Sequence, residues 1–355
     1  MILDIGIFAR YLIKRTLLTS MLVLTVFVLL DSIFLLIAEI EDISMEYNFS
    51  AILSYVFGVI PHRALIYLEG SCLLGLLISL SISKEEGNIE VLRSAGFSPI
   101  KISTISSLGA ILLITLFIIG DEYYFKRFAM ESEIHKNQIT SVFDSKDQSN
   151  SNWIEDNGVF LKYYLKSDNN LYDVSVIKVL NNEVIFSAMA DEASIVEDSI
   201  ILGEPYKIKN FKENIDVSKK IFFNFPKNLQ LTSANISNIT LREQLSYIKD
   251  LSSNLKTQKE RSFKSELERN AYKIMLLPLS AIAIMLLAGS LIFSSLRDST
   301  IGARIIIGVI LSFIYSVLQD LTLSIFITYS LNIFLAAVLP IILILLVSFF
   351  FYRKI

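Results

Sequence analysis

Apolar residues gather in six blocks, roughly 16–38, 64–83, 102–120, 274–294, 305–327 and 331–351. A bilayer core of about 30 Å needs about 20 helical residues at about 1.5 Å each, so every block is long enough to be a membrane-spanning helix. Between the third and fourth blocks the pattern changes to short alternating or β-branched runs: 159–165, 174–180, 183–186 and 220–225. Asp168-Asn-Asn170, Asn181-Asn182, Asp198 and Gly203-Glu-Pro205 separate them, the pattern of an all-β module. Residues 241–270 return to a polar helical pattern. The expected fold is therefore an α-helical polytopic membrane protein with six transmembrane helices and an inserted all-β domain. Its parts are 1–125 with helices one to three, 126–265 with the β-domain on helical stalks, and 266–355 with helices four to six.

Charge sharpens this division. Only 19% of the 355 residues are charged, against about 25% in soluble domains. Residues 121–270 hold 43 of the 67 charged side chains, so the deficit belongs to the two flanking blocks. The first block is too long for a signal peptide, and the acidic Glu39-Ile-Glu-Asp42 follows it instead of a small-residue cleavage site. A single cysteine excludes a disulfide framework, and with two histidines it excludes a Cys/His zinc site. A net charge of −3 disfavours a nucleic-acid binder, and no cofactor is called for.

The bases set an orientation. Arg10, Lys14 and Arg15, then Lys84, Arg93 and Lys101, then Arg297 and Arg304, then Arg353 and Lys354 fall on one side if the spans alternate. The opposite side's first loop, 39–50, has four acids and no base. Both termini are expected in the cytoplasm and the insert 121–270 exported. Asn235 and Asn238 begin glycosylation sequons, which carry no weight in a bacterial-looking chain.

Chemistry is sparse. No Gly-x-x-x-x-Gly-Lys-Ser/Thr phosphate cradle occurs, so energy for any active transport must come from another subunit. Attention moves to the loop 84–101, where residues 88–95 suit a short helix. Ile89 and Leu92 share one face, Glu86, Glu90 and Arg93 are available for ion pairs, and Gly96 supplies a stop. Such a helix is either an energy-coupling contact or an ordinary interfacial helix.

The run Asn88-Ile-Glu-Val-Leu-Arg-Ser-Ala-Gly-Phe-Ser98 resembles the coupling segment of the YjgP/YjgQ permease family, the LptF and LptG subunits of the lipopolysaccharide exporter. Further pieces match in order: Arg10-Tyr11; Ile60-Pro-His-Arg63 opening span two; Leu74-Gly-Leu-Leu77; Trp153 with Asp156-Asn-Gly158; Leu277-Pro-Leu279; and Leu296-Arg-Asp-Ser-Thr-Ile-Gly-Ala-Arg304. Ile2-Leu-Asp4 before Arg10-Tyr11 leans towards the LptG branch. The resemblance implies an LptF-type permease partner, an LptB-type ATPase dimer, an LptC-type bridge protein, lipopolysaccharide as substrate, and a jellyroll-like insert. Lipopolysaccharide would enter between spans one and five of the two permeases.

A coupling role is implied for Glu86, Glu90, Arg93 and Gly96. Where the family usually has an acid, this chain has Asn88, leaving Glu85, Glu86 or Glu90 to substitute in an ion pair, or a weaker contact. His62 and Arg63 stand where members carry a base near the exported face, and Arg suits a phosphate because its fork donates two charge-assisted bonds. The alternative for Arg63 is a snorkelling interface residue. Asp31, Glu69 and Asp320 lie in or near spans and are site candidates by their cost. Asp31 and Asp320 could meet each other, water or a bound cation, or simply hydrogen-bond inside the bundle. Cys72 reads as a packing residue, His135 has no Ser or Cys partner by spacing, and Asp191-Glu192 read as solvated loop charges. Two other functions are weighed: an envelope sensor with a ligand-binding β-domain, and an intramembrane hydrolase, for which no motif is recognised.

Overall fold

The computed structural model describes residues 6–44, 47–141, 152–156, 158–163, 165–167, 170–180, 183–196, 199–210, 220–223, 239–253, 258–293 and 299–354. Arg297, Asn235 and Asn238 lie outside them, as do the turn residues 168–169, 181–182 and 198. The chain divides into two compact units: Met1–Glu41, Val59–Lys126 and Glu268–Ile355 in one, Asp42–Gly58 and Arg127–Leu267 in the other.

Among the described residues, six helical segments are long and apolar enough to cross a membrane. They belong to α1 (Ile7–Ile40), α2 (Phe49–Glu85), α4 (Pro99–Gly120), α7 (Gln258–Phe293), α8 (Ile301–Thr328) and α9 (Ile333–Lys354), with α3 (Asn88–Ser94) between α2 and α4. A π-helical turn, Asp121–Phe125, joins α4 to α5 (Lys126–Ser141). The helices outrun the apolar blocks because backbone hydrogen bonding does not stop where the side chains turn polar. One boundary changes in kind: Pro61, expected to open span two, lies inside α2. By contrast Pro99 does sit in the first turn of α4, where its missing N–H costs nothing, and Ser98 caps that turn by accepting from the Lys101 N–H at 3.4 Å.

The core of the first unit is formed by Leu68, Cys72, Leu73 and Leu76 of α2 with Ile114 of α4 and Ile284 of α7. Small residues let α1 approach at backbone distance. A Cβ at Gly75 of α2 would run into the Ser20 backbone, and one at Gly109 of α4 would run into the Ile13 carbonyl. Hydroxyls fasten the seam: Thr16 donates to Ser79 at 3.0 Å and Thr19 to the Gly75 carbonyl at 2.8 Å. The opposite face of α1 is apolar and exposed, as at Leu22, Leu29 and Phe34, and so is that of α8 at Ile306, Phe313 and Leu321.

In the second unit, eight described strands form one antiparallel sheet: β1 (Asn152–Asp156), β2 (Val159–Tyr163), β3 (Leu165–Ser167), β4 (Asn170–Leu180), β5 (Glu183–Val196), β6 (Ser199–Leu202), β7 (Tyr206–Asn210) and β8 (Lys220–Phe222). The long β4 and β5 are paired from Asn170 with Ser194 to Leu180 with Glu183. Along the free side of β4 lie β2 and β3 end to end, and along that of β5 lie β7 and β6. Leu161, Val174, Val176, Ala188, Ile200 and Ile221 line one buried face. Asp191 and Glu192, read as loop charges, stand exposed within β5; their side chains are solvated, but the backbone continues the ladder. After the sheet, α6 (Leu241–Ser253) starts with a capping box in which Thr240 N–H donates to Glu243 at 3.1 Å and Glu243 N–H to Thr240 at 3.3 Å.

The glycine seam is testable. Gly109→Leu should lower the thermal stability of the detergent-solubilised protein by an amount equivalent to about 1–3 kcal/mol, the usual cost of overpacking. Gly302→Ala, at an open helical position, should be neutral or stabilising by up to about 1 kcal/mol. Equal melting shifts would show that α1 does not rest on Gly109.

Candidate functional site

The loop after α2 turns on Gly87, whose φ of +74° favours glycine, and enters the seven-residue α3. Its exit is set by Gly96 at φ +87°. There the Gly96 N–H donates to the Arg93 carbonyl and the Phe97 N–H to the Leu92 carbonyl, both at 3.0 Å, which is the Schellman arrangement. Ile89 and Leu92 are buried, while Glu90, Val91, Arg93 and Ser94 face outwards with Glu85. The i, i+3 apolar pair therefore pins α3 to the helical core and leaves a charged face with Val91 at its middle.

Glu86 is placed differently from its neighbours. Arg15 of α1 grips it with both guanidinium nitrogens, at 2.5 and 2.7 Å, and the Tyr11 hydroxyl donates to it at 2.8 Å. Arg15 also touches the Tyr11 hydroxyl. The Arg15 hydrogen bonds hold the Glu86 carboxyl below the ordinary carboxylate value, with the Asn88 amide assisting. Asn88 donates to Glu86 at 2.9 Å and to Tyr11 at 3.1 Å. A carboxylate at position 88 has no proton to donate and would face Glu86 with like charge, so this loop favours an amide there. Of the three acids expected to substitute at an ion pair, Glu85 and Glu90 are turned outwards and Glu86 serves the α1 clamp.

Three further groups of charges lie on the helices of the first unit. Arg63 of α2 donates to both oxygens of Asp31 on α1, at 2.7 and 2.8 Å, and Tyr67 donates to the same carboxylate at 2.7 Å. His62 Nδ1 lies 2.6 Å from Asp121 at the π-turn, and buried Lys126 lies 3.6 Å from the other oxygen of Asp121 and 4.0 Å from Glu122. Asp320 of α8 takes Arg269 and Lys273 of α7, both at 3.2 Å. Glu69 accepts from Ser280. Asp31 and Asp320 thus do not meet, one of the arrangements left open by sequence, because each has bases of its own. Tyr67, Asp121, Lys126, Arg269 and Lys273 complete these groups without a local sequence signal for their partners. Arg269 and Lys273 had a usable signal of their own, an i, i+4 pair of bases at the edge of an apolar block.

Among the described residues no group of three or more His, Cys, Asp and Glu side chains could hold a metal ion. Cys72 is buried in the helical core, its thiol 3.8 Å from the Ala110 carbonyl. His135 and Ser132 line the same cavity of the second unit, about 300 Å³, but the Ser132 hydroxyl donates to the Phe128 carbonyl at 2.8 Å rather than to the imidazole.

Sequence comparison adds a family. Residues 10–354 match the family model described as lipopolysaccharide export system permease LptF/LptG. The chain is 24% identical over 298 residues to the lipopolysaccharide export system permease protein LptG of Haemophilus influenzae, with 79% of each chain covered. It is 21% identical over 355 residues to the LptG protein of Escherichia coli K12, with 94% of each covered.

The Glu86 clamp makes a pH prediction. A depressed carboxyl contributes its binding above its unfolded value, about 4.3, and loses it only as pH falls through the lower folded value. Hydrogen exchange of residues 84–97, corrected for intrinsic rates, should therefore be the same at pH 6 and pH 8. Arg15→Ala should accelerate it several-fold at both. Unchanged exchange in that variant would show that the loop is held by Ile89 and Leu92 alone.

Proposed function

Since the chain belongs to the LptF/LptG family of lipopolysaccharide export permeases, we propose that it is the non-catalytic half of an ABC-type exporter that draws lipopolysaccharide from the bacterial inner membrane. In this reading it pairs with an LptF-type permease, receives work from an LptB-type ATPase dimer, and passes its cargo to an LptC-type bridge protein. Both termini and α3 lie in the cytoplasm, and the β-sheet unit lies in the periplasm.

The observation that carries the proposal is the joint between α3 and α1. Coupling without a nucleotide site of its own requires a part that the ATPase can push and a part that the push moves. The outward face of α3, with Glu85, Glu90, Val91 and Arg93, suits the first. Arg15, Tyr11, Glu86 and Asn88 bind the loop before it to α1, the helix whose far face is apolar and uncovered. Displacement of α3 is then delivered to a helix suited to line an acyl-chain gate with α8 of the partner permease, and by symmetry this chain's α8 would line the second gate. At the other end of the spans, Arg63 and His62 form the basic rim for phosphorylated headgroups. Arg63 would share its fork between Asp31 and a phosphate, so Asp31 tunes the site rather than contacting substrate. Asp320 plays the same part for Arg269 and Lys273.

Arg93→Glu should abolish co-purification of the ATPase while the protein still inserts and pairs with the related permease; intact capture of the ATPase would remove α3 from the coupling role. Arg63→Glu should reduce photo-crosslinking to lipopolysaccharide several-fold, and unchanged crosslinking would make Arg63 a snorkelling residue. A chain that co-purifies with neither partner, and whose depletion leaves lipopolysaccharide transport intact, would overturn the whole reading.

A further inference from the structure

One apolar groove of the helical unit has no part in the proposed export route. It has a volume of about 340 Å³ and runs between α4, α7 and α9, lined by Ile100, Leu286, Ile342, Leu346 and Phe349, with the polar Ser348 and Tyr352 also in its wall. Its walls are fixed by packing. Gly289 of α7 leaves room, where a Cβ would collide, for the side chains of Ser103 and Tyr352. Ser348 is buried, whereas Leu346 and Phe349 are about two-thirds exposed, so the groove opens sideways from the helices.

Charge gives the groove a polarity. Lys101 follows the lining residue Ile100 at the start of α4, and Arg353 and Lys354 follow the lining residue Tyr352 at the end of α9, so three exposed bases stand within two residues of the groove's lining. Lys101 lies over the Phe97 ring at 4.5 Å and Lys354 over the Phe350 ring at 4.3 Å, rather than against a carboxylate among the described residues. An aromatic face leaves an ammonium's donors open to an anion, and a long base beside an apolar surface keeps its charge at the headgroup level. We infer that this groove is a binding site for an anionic glycerophospholipid, with an acyl chain along Ile342, Leu346 and Phe349 and the phosphate among Lys101, Arg353 and Lys354. The bound lipid would belong to the leaflet at the basic ends of the spans. Basic pockets between transmembrane helices hold anionic lipid headgroups by this chemistry. The inference needs only that the helices cross a bilayer, and it is independent of the export reading.

The chain's single tryptophan makes the test direct. In full-length protein carrying Trp153→Phe and Phe349→Trp, reconstituted into phospholipid bilayers without lipopolysaccharide or ATPase, fluorescence should be quenched by brominated phosphatidylglycerol far better than by brominated phosphatidylcholine. Each base near an anionic headgroup is worth roughly a factor of five, so a relative preference of about tenfold or more is expected. Adding Lys101→Ala, Arg353→Ala and Lys354→Ala should bring the ratio close to one without shifting the emission maximum. On the background without those three changes, raising salt from about 0.05 to about 0.5 M should lower the ratio, since screening shortens the reach of exposed charges. Equal quenching by the two lipids would mean bulk lipid only and overturn the assignment. Absence of quenching by either would mean that protein covers the groove, and would overturn it too.

Discussion

An ionised side chain in a bilayer has no water to turn to, so its counter-charge has to come from the protein. That requirement governs the helical unit. Asp31 binds α1 to Arg63 and Tyr67 of α2, His62 binds α2 to Asp121 beyond α4, and Asp320 binds α8 to Arg269 and Lys273 of α7. Each pairing joins two helices at a defined height. Leaving one member of such a group alone costs far more than the intact pair contributes, so the pairs act as registers: they forbid sliding and rotation that apolar packing alone would tolerate. The serines and glycines between α1, α2 and α4 work with them by bringing the backbones close enough for short side chains to meet.

The same economy shapes α1. One face carries Thr16, Thr19 and Ser20 against α2, and the other presents leucine, isoleucine and phenylalanine to the surroundings. It is held near one end by Arg15 and Glu86 and further along by Asp31 and Arg63. A helix fastened along one side by these pairs and by the hydroxyl and glycine seam, with its other face uncovered, moves together with α2 rather than past it. The clamp at Glu86 stands in exposed surroundings and the one at Asp31 in more sheltered ones, so the first is the easier to load and release.

How much of this could be read from the chain depends on whether the signal was local. Six apolar blocks located the spans because length and hydrophobicity are properties of a contiguous segment. Their ends were not visible: α1 begins before Arg10, Lys14 and Arg15, and α7 begins at Gln258, since a helix propagates through polar residues that packing supports. The short helix α3 was legible from Ile89, Leu92 and Gly96. In the sheet, β4 and the start of β5 were expected from β-branched residues. The extension of β5 through Ser187-Ala-Met-Ala-Asp-Glu-Ala-Ser194 was not, because there the ladder with β4 overrides weak local preference. Least visible were the partners. Asp31 announced that it needed a base, but thirty-two positions separate it from Arg63, and nothing in the neighbourhood of Asn88 revealed that an amide was wanted as a donor to Glu86.

The order of the sheet has a mechanical meaning. Among the described residues the chain enters at the edge strand β1 and leaves from β8 at the other edge. Tension applied between entry and exit therefore crosses the ladders in series, and a series assembly yields at its shortest rung. The pairing of β4 with β5 spans almost the whole length of both strands, whereas β6 meets β8 through only Ser199, Ile200 and Ile201. Under load, β8 would peel away first, leaving the central hairpin and its neighbours as an intact spring.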